Sequence, residues 1–323
     1  MTAKKITRGI SKEFAEMFKN CNLNNLYQEH RDELFIGVRN DYLNLYYNCD
    51  CIAKITYKKR DKKIDCEIDK YYLDGIHYKS KDKEKRYKIE QKEIIKHYKV
   101  IKEHSNNKET PEKKAQSKLV LLNNKNLNSN WFCIDIEYVK SFNNRAEKKK
   151  ANFNGRFDII ALSKMKPHKV ALIELKYGSG AIGGKSGIYK HIEDFKKYHD
   201  ENYFDKQEIC DIIESQKMLG IELPVELKNL HTKEISGYEF YVITLNNNVD
   251  KKNGSTPKQT MSGYLFYDKR WNCKKVSTKT VQTNFGDVTN KKNSIHVNFL
   301  FSTQTLDNLT INDILENRDY DRA

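Results

Sequence analysis

Asn154–Tyr198, NGRFDIIALSKMKPHKVALIELKYGSGAIGGKSGIYKHIEDFKKY, is the stretch on which the reading of this chain turns. Within it, Phe157–Leu162 and Lys169–Tyr177 are short runs rich in β-branched and apolar residues, and the SKMKPH between them has turn composition. The pattern predicts two adjacent strands. Each run carries acid where a core strand would not. Side chains alternate along a strand, which predicts Glu174 and Lys176 on one face and Ile173, Leu175 and Tyr177 on the other. Asp158, on the neighbouring strand, is then expected to face the same pair. An Asp, a Glu and a Lys gathered at a sheet surface suit a hard divalent cation held through carboxylate oxygens, with the ammonium left to orient or polarise a water. In a chain with 32% charged residues the same triplet on an exposed face would be only an ion pair of small value. Context favours the site: the triplet ends an apolar strand, an acid lies on the strand before it, and a Gly-rich turn leads into an amphipathic helix.

At 323 residues the chain can bury a sizeable core in one large or two modest domains. No stretch approaches the length of a transmembrane helix, and MTAKKITRGISKEFAEMF lacks the apolar run of a secretory signal, so a soluble, cytoplasmic protein is expected. Seven cysteines form an odd set without paired metal-ligand spacing, Cys49-x-Cys51 being too close for a zinc knuckle, and reduced thiols are expected. The net charge of +15 points to a polyanionic partner, of which a phosphate backbone is the commonest. Part of the lysine excess travels with abundant Asn, Ile and Tyr, the composition that AT-rich coding also produces, and that part is uninformative about partners. The chain has no terminal basic amphipathic helix with bulky apolar residues, which argues against a membrane surface.

The remaining segments read in order. Residues 1 to 33 are expected to be mostly helical, with Phe14, Met17 and Phe18 on one face. Residues 34 to 73 read as an antiparallel meander whose tyrosines either stack bases or cover a sheet face with their hydroxyls in water, the second being favoured. Residues 76 to 108 form the densest basic run, helical from about Glu90. Thr110-Pro111 caps and opens the next helix, with Ala115, Leu119 and Leu122 buried. Trp131–Val139 predicts a strand on which Asp135 and Glu137 share a face. Glu137 is then a further ligand or base at the site's edge, or both acids meet solvent. Lys148 to Lys150 in the polar connection that follows suit phosphate or solvent equally.

After Lys176, GSGAIGGKSG invites a phosphate-loop reading, but that fingerprint needs Gly where Ser179 stands. In weaker form, amides at the helix start with Lys185 and Ser186 are expected to cradle a phosphate. The helix that follows buries Ile188, Ile192 and Phe195 and turns His191, Asp194 and Tyr198 to its other side. Residues 206 to 219 form another amphipathic helix, Tyr238–Leu245 a closing strand, and Gly263–Asp268 and Ile295–Phe301 further strands, before an acidic tail.

Asp158 followed by Glu174-Leu175-Lys176 resembles the motif of the PD-(D/E)XK nuclease superfamily, an acid on one strand and E-x-K on the next; Phe157 stands where the family name has Pro. The resemblance implies an α/β, restriction-endonuclease-like core of a helix, three strands, a helix and a further strand, a mixed sheet flanked by helices. It is expected over 108–247, after a basic helix and β-meander region (1–107) and before a C-terminal β extension and tail (248–323). It implies Mg²⁺, with Mn²⁺ as a substitute, bound by Asp158, Glu174 and the Leu175 carbonyl. Lys176 would position the attacking water and Glu112, on the first core helix, would reach the metal. His191 would be an auxiliary on the helix beside the site, and Arg156, Lys185, Ser186 and His191 would contact nucleic acid. The activity implied is Mg²⁺-dependent phosphodiester hydrolysis, of DNA before RNA, in restriction or anti-phage defence, with a homodimer or a defence partner conceivable. The competing readings are a nucleic-acid-binding protein on a nuclease scaffold without turnover and a nucleotide-hydrolysing switch, the latter disfavoured by the broken phosphate loop.

Overall fold

The structure is a computed structural model describing residues 8–77, 85–142, 145–153, 155–178, 188–246, 272–273, 276–277, 282–290, 293–301 and 309–316. It is mixed α/β, with two sheets. Among the described residues no helix is long and apolar enough to cross a membrane. The chain divides into two compact units, one running to Leu121 and including Lys206–Thr232, the other formed by Leu122–Asp205 and the residues from Lys233 on. This division differs from the three successive segments expected from sequence.

In the first unit, α1 (Lys12–Lys19) is capped by the Ser11 hydroxyl on the Phe14 amide, and α2 (Asn22–Glu29) follows. The expected meander is β1 (Leu34–Val38), β2 (Tyr42–Tyr47), β3 (Asp50–Lys58) and β4 (Lys63–Asp69). After the short α3 (Tyr71–Asp74), β5 (Arg86–Ile89) adds a fifth strand, giving an antiparallel sheet in the order β1-β2-β3-β4-β5. The turn between β2 and β3 places Asn48 and Cys49 both at positive φ, 51° and 57°, the backbone that a two-residue hairpin turn of matching twist requires. Phe14, Phe18, Leu23, Ile36, Leu45, Ile55 and Ile68 share one core with Ile94 and Ile101. Those last two lie on α4 (Gln91–Lys96) and α5 (Tyr98–Asn107), two helices separated at His97, where sequence predicted one. The expectation for the meander tyrosines is corrected. Tyr46 and Tyr47 are buried, and their hydroxyls bond within the protein: Tyr46 accepts from Arg39 at 2.9 Å and Tyr47 donates to Asn106 at 3.1 Å. An aromatic body brings more apolar area into a core than one satisfied hydroxyl costs.

Helix α6 (Pro111–Lys125) begins at the predicted proline, and the division between the units falls within it. In the second unit, β6 (Trp131–Val139), α7 (Arg145–Ala151), β7 (Arg156–Ser163) and β8 (His168–Tyr177) precede α8 (Ile188–Asp200). The chain then places α9 (Lys206–Met218) in the first unit and returns with β9 (Ile235–Leu245). There follow β10 (Asn272–Cys273), β11 (Val276–Ser277), β12 (Gln282–Asn290), β13 (Asn293–Phe301) and α10 (Ile311–Glu316). Sheet order is β10-β12-β13-β9-β8-β7-β6, with β11 also on β12. β6, β7 and β8 are mutually antiparallel, whereas β9 is parallel to β8 and β13 to β9. β8 is thus central and buried along almost its whole length, which is why its sequence is a near-continuous apolar run. The expected strand at 263–268 lies outside the described residues.

Aromatic packing mounts α8 on this sheet. Phe195 stacks on Phe240 at 4.7 Å between centroids and on Phe157 at 5.7 Å. Tyr198, expected on the polar side of α8, is 2% exposed and packs edge-on against Phe157. The apolar stripe of the helix is therefore one residue wider than the Ile188, Ile192, Phe195 spacing indicated.

Candidate active site

Registered pairing of β7 with β8 runs from Leu162↔Val170 to Ile159↔Ile173. Beyond that last pair, the Leu175 amide donates to Asp158 Oδ2 at 2.8 Å. Asp158 and Glu174 each present a carboxylate oxygen within 4.8 Å of the other, as alternation along two neighbouring strands predicted. Lys176 Nζ donates to Glu174 Oε1 at 2.6 Å, and His191 Nε2, from α8, lies 2.9 Å from the same oxygen. Glu174 and Lys176 are 2% and 4% exposed, so this is a buried cluster and the weak surface ion pair is excluded.

The electrostatics of the cluster are unbalanced. Burial first, then the charges of Glu174 and Glu137, push the Asp158 carboxyl well above the usual carboxylate range, with the Lys176 ammonium and the Leu175 amide opposing. A half-buried acid pushed up by a buried one is short of positive charge. A small divalent cation meets that need, and two hard oxygen donors less than 5 Å apart suit Mg²⁺ or Mn²⁺ better than a softer metal. The donor set therefore fits the ion implied by the resemblance.

The other anticipated residues distribute as follows. Glu137 lies near enough to raise Asp158 and pairs with Arg156 across β6 and β7. Its φ of 51° takes it out of strand geometry, and the ladder passes from Ile136↔Ile159 to Tyr138↔Phe157 without it. Asp135 does not share that environment. It follows a register irregularity, is fully buried, and accepts from the Ile136 amide at 2.9 Å, so its expected exposure is corrected. Arg156 keeps about half its side chain in solvent while holding Glu137. His191, read from sequence as a nucleic-acid contact and auxiliary, is turned to Glu174. Leu175 enters through its amide. Glu112 lies in the first turn of α6, in the first unit, and Lys185 and Ser186 lie outside the described residues. One residue went unnoticed in the sequence: Thr244, in register with Lys176 on β9, has a buried hydroxyl without a hydrogen-bond partner among the described residues. Only the parallel pairing of β8 with β9 brings it there.

No family model matches the chain, and neither a curated protein nor a solved structure does. What fold and geometry define is a class: a mixed α/β protein with an acidic pair, a lysine and a histidine at one end of a central strand.

Proposed function

We propose that this protein is a Mg²⁺-dependent nuclease of restriction-endonuclease-like fold that hydrolyses phosphodiester bonds in DNA. The observation that carries the reading is the meeting of Asp158 and Glu174 within 4.8 Å, with the Lys176 ammonium 2.6 Å from Glu174, all on adjacent strands. The element order supports it too: α6, three antiparallel strands β6, β7 and β8, then α8 and β9 parallel to β8. This is the arrangement implied by the resemblance, with the α9 excursion inserted between α8 and β9.

Asp158 and Glu174 would hold the ion, which when bound supplies Lewis acidity toward a nonbridging phosphate oxygen. The Leu175 amide fixes Asp158 and His191 fixes Glu174, so both carboxylates keep their orientation. Lys176 aims its ammonium at the attacking water and at the negative charge that grows on phosphorus. Water adds to phosphorus in line with the departing oxygen, the P–O ester bond breaks, and the products are a phosphomonoester and a hydroxyl. A second reading, a DNA-binding protein without turnover, draws on the double pairing of Glu174 Oε1 by Lys176 and His191. Incubating plasmid and single-stranded substrates with Mg²⁺, Mn²⁺ or chelator separates the two. The nuclease cuts only with metal and loses cutting, with binding retained, in Glu174→Ala and Lys176→Ala. DNA bound by the parent but intact under every metal condition establishes the second reading.

A further inference from the structure

Between β6 and β7 the chain leaves the sheet and returns to it. Val139 and Arg156, the residues on either side of the excursion, are paired in register, so its two roots stand together, two residues from Glu137 and Asp158. At a strand rise of roughly 3.3 Å per residue, this sets the excursion about 7 Å from the acidic cluster. Both roots are pinned to one ring: Phe142 packs edge-on against Tyr203 at 5.5 Å and Phe153 packs on it at 5.3 Å. Gly155 is required there, because a Cβ would strike the Phe153 ring. Lys197 of α8 adds a bond to the Asn152 carbonyl at 2.9 Å.

On this anchored excursion sits α7, and residues 146 to 150 are all exposed. Three consecutive residues of a helix fan over about 200°, so Lys148, Lys149 and Lys150 meet solvent together only because the helix stands off the surface. They carry no carboxylate partner among the described residues. Elsewhere in this unit several lysines are paired with acids: Lys166 with Glu234, Lys169 with Glu239, Lys190 with Asp194 and Lys196 with Asp200. The three lysines of α7 thus stand together without ion pairs among the described residues, on an excursion whose roots adjoin the acidic pair. Glu147 on the same helix offsets one of the three charges; a run of unpaired lysines is costly by self-repulsion and gains when a polyanion releases its counterions to it.

We propose that α7 is a phosphate ridge: Lys148, Lys149 and Lys150 grip the sugar-phosphate backbone of duplex DNA next to the acidic cluster. The proposal rests on the nuclease reading for its choice of ligand, and the ridge would place a bound strand within reach of Asp158 and Glu174. Contacts of this kind carry no base information, so the ridge contributes affinity and register and leaves sequence selection to other residues.

The test is binding of a fluorescent 30-base-pair duplex by the full chain in chelator, so that no cleavage occurs, over a salt series from about 50 to 200 mM. Each lost phosphate contact removes about 0.9 from the log–log salt slope. The Lys148→Gln, Lys149→Gln, Lys150→Gln triple variant is expected to lose about 2 to 3 units of slope and to bind roughly 10- to 100-fold more weakly at the low-salt end. A control triple, Lys166→Gln, Lys169→Gln, Lys196→Gln, makes the same change in formal charge at lysines paired with acids and is expected to keep the parent slope. An unchanged slope in the α7 variant overturns the ridge, and so does an equal loss in both variants, which would mean diffuse attraction. Parent protein that binds with an α7-dependent slope yet never cuts with Mg²⁺ sinks the nuclease reading and leaves the ridge standing. Cutting that persists with binding indifferent to α7 does the reverse.

Discussion

Lys176 and His191 converge on a single oxygen, Oε1 of Glu174, at 2.6 and 2.9 Å from a strand and a helix respectively. One carboxylate oxygen is thereby fixed from two elements, leaving its other oxygen and Asp158 as the acceptors with which the pair can take a cation. The proposed chemistry separates the two partners of Glu174: Lys176 works on the reacting phosphate, His191 on the position of Glu174.

For Lys176, replacement by Ala is expected to slow single-turnover DNA cleavage by about 10²- to 10⁴-fold, the range for a positioned proton-transfer or charge-stabilising group. Duplex affinity in chelator should stay within about twofold of the parent, a margin far smaller than the loss in rate. A rate unchanged by this substitution removes Lys176 from the reaction.

For His191, the expected effect is on the metal requirement. A residue that holds a ligating carboxylate typically costs 10- to 100-fold in metal affinity or activity when removed. The Mg²⁺ concentration for half-maximal cleavage should therefore rise by about that factor in His191→Ala, with the rate at saturating Mg²⁺ largely recovered. A fall in saturating rate with the Mg²⁺ dependence unmoved would place His191 in the chemical step instead.

For Asp158, the folded carboxyl titrates well above its unfolded value, so the folded state binds the extra proton. Stability of the metal-free protein is then fully present below the unfolded value and falls as pH rises through the raised folded value. Asp158→Asn, neutral at every pH, is expected to flatten that decline. At neutral pH in chelator it should stabilise the second unit by about 1 kcal/mol, the low end of the cost of an incompletely compensated polar group, because Asp158 is only half-buried. Mg²⁺ should raise the melting temperature of the parent and not of the variant. Parallel pH–stability curves for the two proteins would contradict the imbalance.

In the first unit, Asp50 is 2% exposed and accepts from Ser105 at 2.8 Å and from Lys108 at 3.4 Å. Lys108 also reaches the Tyr72 hydroxyl at 2.7 Å. Asp50→Ala leaves the buried Ser105 hydroxyl without this acceptor and the half-buried Lys108 ammonium without its counter-charge, and is expected to cost about 2 to 3 kcal/mol. Denaturant unfolding followed by the tyrosines of this unit measures it. No loss would show that solvent replaces the carboxylate.

Much of the architecture was legible because period and burial agree. Trp131–Val139, the two strands around Asp158 and Glu174, and the start of α6 at Pro111 lie where apolar runs, turn residues and the helix-opening proline placed them, whereas the Thr110 hydroxyl expected to cap α6 is buried without a hydrogen-bond partner among the described residues. Legibility ended where tertiary partners decide. Tyr198 reads as polar-facing by helical spacing and is buried because Phe157, Phe240 and Tyr203 build an aromatic wall around it. Glu137 reads as a strand residue, yet its left-handed backbone removes it from the ladder. Residues 206 to 219 announce an amphipathic helix without saying which core receives it. The pairing of His191 with Glu174 joins a helix to a strand across the Gly-rich connection, a distance that spacing rules do not span.

The placement of α9 has a consequence for how the polypeptide matures. Leu219 fills the first core and Ser215 accepts the Ile10 amide at 3.2 Å, while β9, which flanks the strand carrying Glu174 and Lys176, is made only afterwards. During synthesis Ile10 must await a partner 205 residues downstream, and the acidic pair gains its parallel flanking strand later still. Completion of the sheet around the acidic pair is thereby a late event in biogenesis, and no single backbone scission can release either body whole.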